Sequence, residues 1–167
     1  MGGSRVGKDS PRIRAYGALD ELASQLGLAE SLLPPGSESS RPLLQRVQHE
    51  LFTAMTELAT PEGTAPVHRL TAAHVTALER EIDRLQVTTP AIQSFVLPRG
   101  TPAAAALHVA RTVARRAERE IVALNRLEPV PPELRQWINR LSDLLFALAH
   151  ATNVAAGQPE IPPDYHA

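Results

Sequence analysis

The chain has no cysteine. Disulfides and thiolate metal ligands are therefore excluded, and the redox state of the compartment stays open. Aromatic residues make up only 4% of it, with a single tryptophan, which speaks against a β-sandwich core. No apolar run approaches the roughly 20 residues needed to cross a bilayer. The opening "MGGSRVGKDS" lacks the apolar stretch of a secretory signal. A soluble, cytoplasmic chain that does not enter membranes is expected. Neither sign of charge dominates: 17 basic and 18 acidic residues leave a formal charge of -1, so no global basic field points to nucleic acid. What is present is 167 residues, enough for one domain with a real hydrophobic core. Alanine is abundant, which favours closely packed helices.

Apolar periodicity predicts five helices. The first covers about residues 11–33, with Ser10 as cap and Pro11 in the first turn. Ile13, Tyr16, Leu19, Leu22, Leu26, Ala29 and Leu33 recur along it at three- and four-residue intervals, and Pro34-Pro35-Gly36 ends it. The second covers about 40–60, before "PEGTAP". The third, about 71–87, carries Val75, Leu78, Ile82 and Leu85, and its "EREIDR" reads as a solvated, ion-paired face. The fourth, about 102–126, has Thr101 as its cap; the fifth, about 132–156, opens at Pro131-Pro132-Glu133. The segment "VTTPAIQSFVLPRGTP" is too interrupted for a helix. These elements make an all-α five-helix bundle, one domain over residues 1–157. Residues 158–167 read as a loose, proline-rich C-terminal tail. There is no internal repeat and no strand pair with hairpin chemistry.

The stretch "VARTVARRAERE", residues 109–120, holds four arginines and two glutamates beside an alanine run. At 100° per residue, Leu107, Ala110, Ala114, Ala117, Ile121 and Leu124 share one arc. Arg111, Arg115 and Glu118 lie together at its edge, with Arg119 a little further round and Arg116 well away. Two readings fit. Arginine stems can cover apolar surface with their heads in water, paired to Glu118. Alternatively, guanidinium forks gather at a core border to hold phosphate oxygens. Spacing alone does not decide between them.

Longer blocks bear on the choice. "RVGKDSPRIRAYGALDELASQLG", "LFTAMTELATP", "SFVLPRGTPAAAALHVARTVARRAERE" and "INRLSDLLFALAHATN" together resemble, in order, the signatures of the PduO-type ATP:cob(I)alamin adenosyltransferases. The match spans about residues 3 to 153. The resemblance implies a five-helix bundle assembled as a homotrimer with active sites between subunits. It implies ATP and cobalamin as substrates with Mg2+ as the accompanying ion, and adenosylcobalamin and triphosphate as products. It further implies that Arg111 pairs with Asp20, that Arg115 lies at the nucleotide, and that Asn139 lines the same site. Glu118 and Arg116 belong to that signature, and Lys8 to the stretch that approaches the phosphates. Phe95 matches an aromatic that crowds the lower face of the corrin ring; read by itself, it is a core residue. An adenosylcobalamin-dependent enzyme or a reductase is the partner to expect.

Some positions depart from the family pattern. Ala23 replaces an amide, Arg99 stands in "LPRG" where a second glycine is usual, Met55 replaces a glycine, and His150 and Ala151 replace an arginine and a bulky residue. The family's T-x-T-G-D-x-G-x-T segment, whose backbone N–H groups would cradle phosphate, has no counterpart in "MGGSRV" or in the residues after it. A chain truly lacking that loop is expected to be a divergent, non-catalytic relative that binds nucleotide or corrinoid as carrier, sensor or partner subunit. The six histidines show no paired metal-ligand spacing. His108 is expected to pack or hydrogen-bond rather than ligate.

Overall fold

Ser10 and Thr101 show how local chemistry starts these helices. Each holds an extended backbone, is followed by proline in the first helical turn, and accepts a hydrogen bond from the backbone N–H three residues on: Ile13 for Ser10, Ala104 for Thr101. His74 starts the third helix in a different way, its Nδ1 accepting the Thr71 N–H at 3.1 Å. The computed structural model describes residues 7–37, 39–60 and 64–166. They form α1 (Pro11–Ser31), α2 (Ser40–Ala59), α3 (Ala72–Thr88), α4 (Pro102–Asn125) and α5 (Pro132–Ala155). Among the described residues there is no strand, as the periodicity requires. No helix there is long and apolar enough to cross a membrane.

Packing order is set by which faces are apolar. α4 lies against both α1 and α5, α2 flanks α1, and α3 flanks α5. The α1–α4 pair is antiparallel: Arg12 bonds Glu128, Arg14 faces Glu120, and Arg116 pairs with Glu21. Ala103, Ala104, Ala106, Ala110, Ala114 and Ala117 of α4 are all buried, and small side chains let helix axes approach closely. On α1 the buried face differs from the predicted stripe in one respect. Leu19, Leu22, Leu26, Ala29 and Leu33 are buried, but Ile13 and Tyr16 are more than a third exposed. Ala15 and Ala18 take the interior there instead.

The tail expected to be loose makes defined contacts. Ile161 accepts a backbone hydrogen bond from Leu97 at 2.8 Å, and Glu160 meets His150 at 2.9 Å. Both partners are polar groups left over where α5 ends and the irregular 89–101 connection passes it. Gly100 in that connection has φ of +126°, and a Cβ there would overlap the Asn153 side chain. A glycine is needed at that position for both reasons. Arg99 beside it keeps an ordinary negative φ and is exposed.

Two buried acids supply tests of this packing. Trp137, fully buried, donates its Nε1–H to Glu50 Oε2 at 2.7 Å. Trp137→Phe keeps most of the ring but leaves that carboxylate without its donor. Urea unfolding should then show a loss of about 1–3 kcal/mol, partly recovered when Glu50→Leu is added; an unchanged midpoint in the single variant would refute this role. Glu57 is also buried. Its carboxyl is raised from 4.5, mainly by burial and further by the charge of Glu133, against the lowering effects of the Leu70 N–H and Arg69. The folded chain thus holds this proton more tightly than the unfolded one. Stability tied to Glu57 is present in acid and declines as pH climbs from about 4.5 through the raised value. Glu57→Gln, which can still accept from Leu70, should be more stable than the parent at pH 7 and no different near pH 4, as read from thermal midpoints.

Candidate active site

α4 and α5 run antiparallel, so the polar edge of one meets the polar edge of the other in successive rungs. Glu118 accepts from Asn139 Nδ2 at 2.8 Å. One turn back, Arg115 opens onto a cleft shared with Asp143 and Arg140, which pair with each other at 2.8 Å. One further turn back, the Arg111 guanidinium carbon lies 6.0 Å from the centroid of the Phe146 ring. Arg111 Nε is buried without a hydrogen-bond partner. Its pKa is lowered, first by burial and then by the like charge of Arg115, but a guanidinium shifted down from its ordinary, very high value keeps its charge at neutral pH. The Phe146 face is the group that meets it.

The cleft beside these side chains has a volume of about 600 Å³. α3 contributes Ile82 and Gln86, the connection after it contributes Thr89 to Ile92, and α5 closes it with Phe146, Ala147 and His150. Behind Phe146, His108 lies 6.1 Å away by ring centroids at a 58° tilt. It is 3% exposed, and neither ring nitrogen has a partner. Its pKa is lowered by burial and by Arg111, with Glu160 opposing. The expectation of packing rather than ligation at His108 fits a neutral ring wedged under the cleft floor. Among the described residues no three His, Asp or Glu side chains group as a metal site.

The sequence-predicted residues divide. Arg111 and Arg115 share the cleft. Glu118 and Asn139 line an adjoining recess of about 310 Å³ with Arg135 and Pro132. Arg116 points to the other side of α4 and pairs with Glu21. Asp20 is exposed on α1, and within one chain it makes no contact with Arg111 among the described residues. Lys8 is exposed in the turn ahead of α1, at the end of the bundle where α4 finishes. Phe95 is 83% exposed on the 89–101 connection, so the reading of it as a core side chain is corrected. Among the described residues nothing covers this ring, which sits in a loop between helices.

Sequence reasoning pairs Asp143 with Asn139, one turn apart on the fifth helix, but does not pick out Phe146, Arg140 or His150 as cleft residues. A signal existed. Asn139, Asp143, Phe146 and His150 stand at intervals of four, three and four on α5, which is one helix face. It faces the 111–115–118 edge of α4.

A family model described as cobalamin adenosyltransferase matches residues 1–152. The chain belongs to the cobalamin adenosyltransferase family. It is 41% identical over 157 residues to a corrinoid adenosyltransferase of Bacillus subtilis, covering 93% of this chain and 81% of that one. It is 43% identical over 161 residues to the corrinoid adenosyltransferase PduO of Salmonella typhimurium, covering 95% of this chain but 47% of that longer one. Among solved structures, a PduO-type ATP:corrinoid adenosyltransferase of Lactobacillus reuteri, a phenylalanine-to-alanine variant complexed with cobalamin and ATP, superposes with a TM-score of 0.89 at 38% identity. That match covers 95% of this chain and 88% of the other. An arginine-to-lysine variant from the same organism, complexed with ATP, gives 0.91 at 38% identity over 97% and 92%.

If Phe146 is the seat of Arg111, the two side chains are energetically coupled. A double-mutant cycle with Arg111→Met and Phe146→Leu should give an interaction of about 0.5–1 kcal/mol in unfolding free energy. Strict additivity would separate them.

Proposed function

We propose that this chain carries out the reaction of its family, transferring the 5′-deoxyadenosyl group of ATP to the cobalt of a reduced corrinoid, and that the α4–α5 cleft is where the two substrates meet. The observation that carries this reading is the arginine pair: Arg111 half-buried against Phe146, and Arg115 one turn away with no carboxylate partner among the described residues. A cation left unpaired at the mouth of a partly apolar cleft fits a polyanionic guest.

The chemistry asks little of acids and bases. Cobalt(I) brings both electrons of the new cobalt–carbon bond, the bond from the 5′ carbon to oxygen breaks, and triphosphate leaves with that pair. Arg115, with Glu118 and Asn139 along the same seam and Lys8 from the start of α1, would hold the nucleotide and stabilise the departing charge. Mg2+ would arrive on the triphosphate, since that ion binds largely through phosphate oxygens and water. The exposed Phe95 ring would press against the lower face of the corrin and keep an axial ligand off the metal. This favours the four-coordinate state that accepts an electron. Arg111 would pair with Asp20 of another copy in a homotrimer, at sites built between subunits. The product would pass to an adenosylcobalamin-dependent enzyme in the cytoplasm, with a reductase as the electron source.

Anaerobic mixing of the chain with reduced cobalamin and ATP should give the absorbance of adenosylcobalamin. Arg115→Ala should lower kcat/KM for ATP by about 100- to 1,000-fold with helicity unchanged. Phe95→Ala should spare ATP binding and weaken cobalt(II) reduction. No product from the parent chain would favour the non-catalytic relative, and parental behaviour in both variants would misplace the site.

A further inference from the structure

The end of α5 turns five polar contacts, two from His150 and three from Asn153, onto one place. His150, 8% exposed, brings Nε2 to 2.9 Å from the Pro90 carbonyl oxygen and Nδ1 to 2.9 Å from Glu160 Oε1. Asn153, 1% exposed, donates from Nδ2 to the Arg99 carbonyl at 3.0 Å and to Glu160 Oε1 at 3.3 Å. Its Oδ1 accepts from the Thr101 N–H at 3.0 Å. Beyond them the Leu97 N–H donates to the Ile161 carbonyl at 2.8 Å. The tail is thereby fastened to the connection that carries Phe95, with holds on both sides of that residue.

The donor count at His150 is decisive. A carbonyl oxygen only accepts, and so does an ionised carboxylate. A neutral imidazole has one N–H and cannot satisfy both. The closed arrangement therefore contains one proton more than a neutral ring beside a carboxylate, held on the ring or on Glu160 and shared along the Nδ1 contact. Taking it away sets a nitrogen lone pair against a carboxylate oxygen. The site is nearly dry, and Glu160 Oε2 is already buried without a donor. Loss of that proton breaks a bond the tail cannot replace from water.

We propose that Glu160 is a positioning residue: with His150 it forms a one-proton latch that holds the C-terminal tail against the Phe95 connection, closed while the shared proton is present and released when it leaves. Its consequence for turnover rests on the reading of Phe95 as a corrin contact; the latch itself does not. The charged neighbours do not supply the switch. Arg111 and Arg115 from α4 and Arg140 from α5 line the same cleft and keep their charge. Asp143 is paired to Arg140, and α3 offers only the uncharged Ile82 and Gln86. His108, which feels the charge of Glu160, is held toward its neutral form and has no proton to lose on the alkaline side.

The full-length chain answers this by NMR hydrogen exchange at the Leu97 amide, corrected for the intrinsic rate. In the parent, protection should fall with rising pH, approaching about tenfold per pH unit for a single linked proton. Glu160→Gln should abolish the dependence. Its amide can donate to an unprotonated Nδ1 while Nε2–H still meets Pro90, giving up only the longer contact from Asn153, so a neutral ring keeps the latch shut. His150→Phe should open it at every pH. In turnover, the corrinoid KM should rise with pH in the parent and stay flat in Glu160→Gln, with the ATP KM unaffected. Constant protection in the parent, or the same decline in Glu160→Gln, would overturn the latch. A titrating latch with a flat corrinoid KM would overturn the positioning role; if Phe95→Ala also leaves that KM unchanged, the fault lies with the reading of Phe95 and not with the tail.

Discussion

The close, antiparallel approach of α4 to α5 sets where every side chain of the cleft can be. Buried alanines at 106, 110, 114 and 117 line the interior face of α4, where small side chains let the neighbouring helices come close. The polar edges on either side of that seam then have no freedom to drift apart. Glu118 must meet Asn139, Arg115 must open beside Asp143, and Arg111 must lie over Phe146. A leucine in that column would push the axes apart and part all three rungs together.

Holding a cation in such a place has a physical consequence. Burial works against the charge of Arg111, as its lowered pKa records, and Arg115 adds repulsion. The side chain tolerates this because a guanidinium is weakly hydrated and stacks well on an aromatic face. His108 beneath the ring is neutral for the same reason, desolvation, so no second buried charge accumulates. The outcome is a division between two arginines one turn apart. One is half-buried against an aromatic face, and the other is exposed and unpaired among the described residues. Rigidity next to an available charge is what positioning a polyanion requires.

The helices and their polar border were legible because both rest on local rules. Caps at Ser10 and Thr101 obey side-chain chemistry within three residues, and the Arg111–Arg115–Glu118 edge is a matter of 100° steps. What escaped depends on the partner helix. Phe146 reads as core on α5 until one knows that Arg111 lies across from it. Ile13 and Tyr16 belong to the apolar stripe by spacing, but the neighbouring helices cover Ala15 and Ala18 instead. His150 and Glu160 are ten residues apart with a helix end between them, and no periodicity joins them. Asp20, Lys8 and Phe95 were legible only through family resemblance, since exposure is all that one chain gives them.

That exposure has a geometric meaning for Lys8. α1 runs against α4 with Arg12 bonded to Glu128, so Lys8, before Arg12, lies at the far end of α4. Arg115 is thirteen residues short of Glu128, which at about 1.5 Å per residue is roughly 20 Å along the axis. A triphosphate is about half that length, so Lys8 and Arg115 of one copy could grip it together only with both side chains stretched toward each other along the bundle. A lysine and an arginine from different copies would need no such stretch. The second arrangement also gives Asp20 the partner that its own Arg111 does not supply. A nucleotide site between subunits would thus favour a role for Lys8 in the proposed reaction without depending on it.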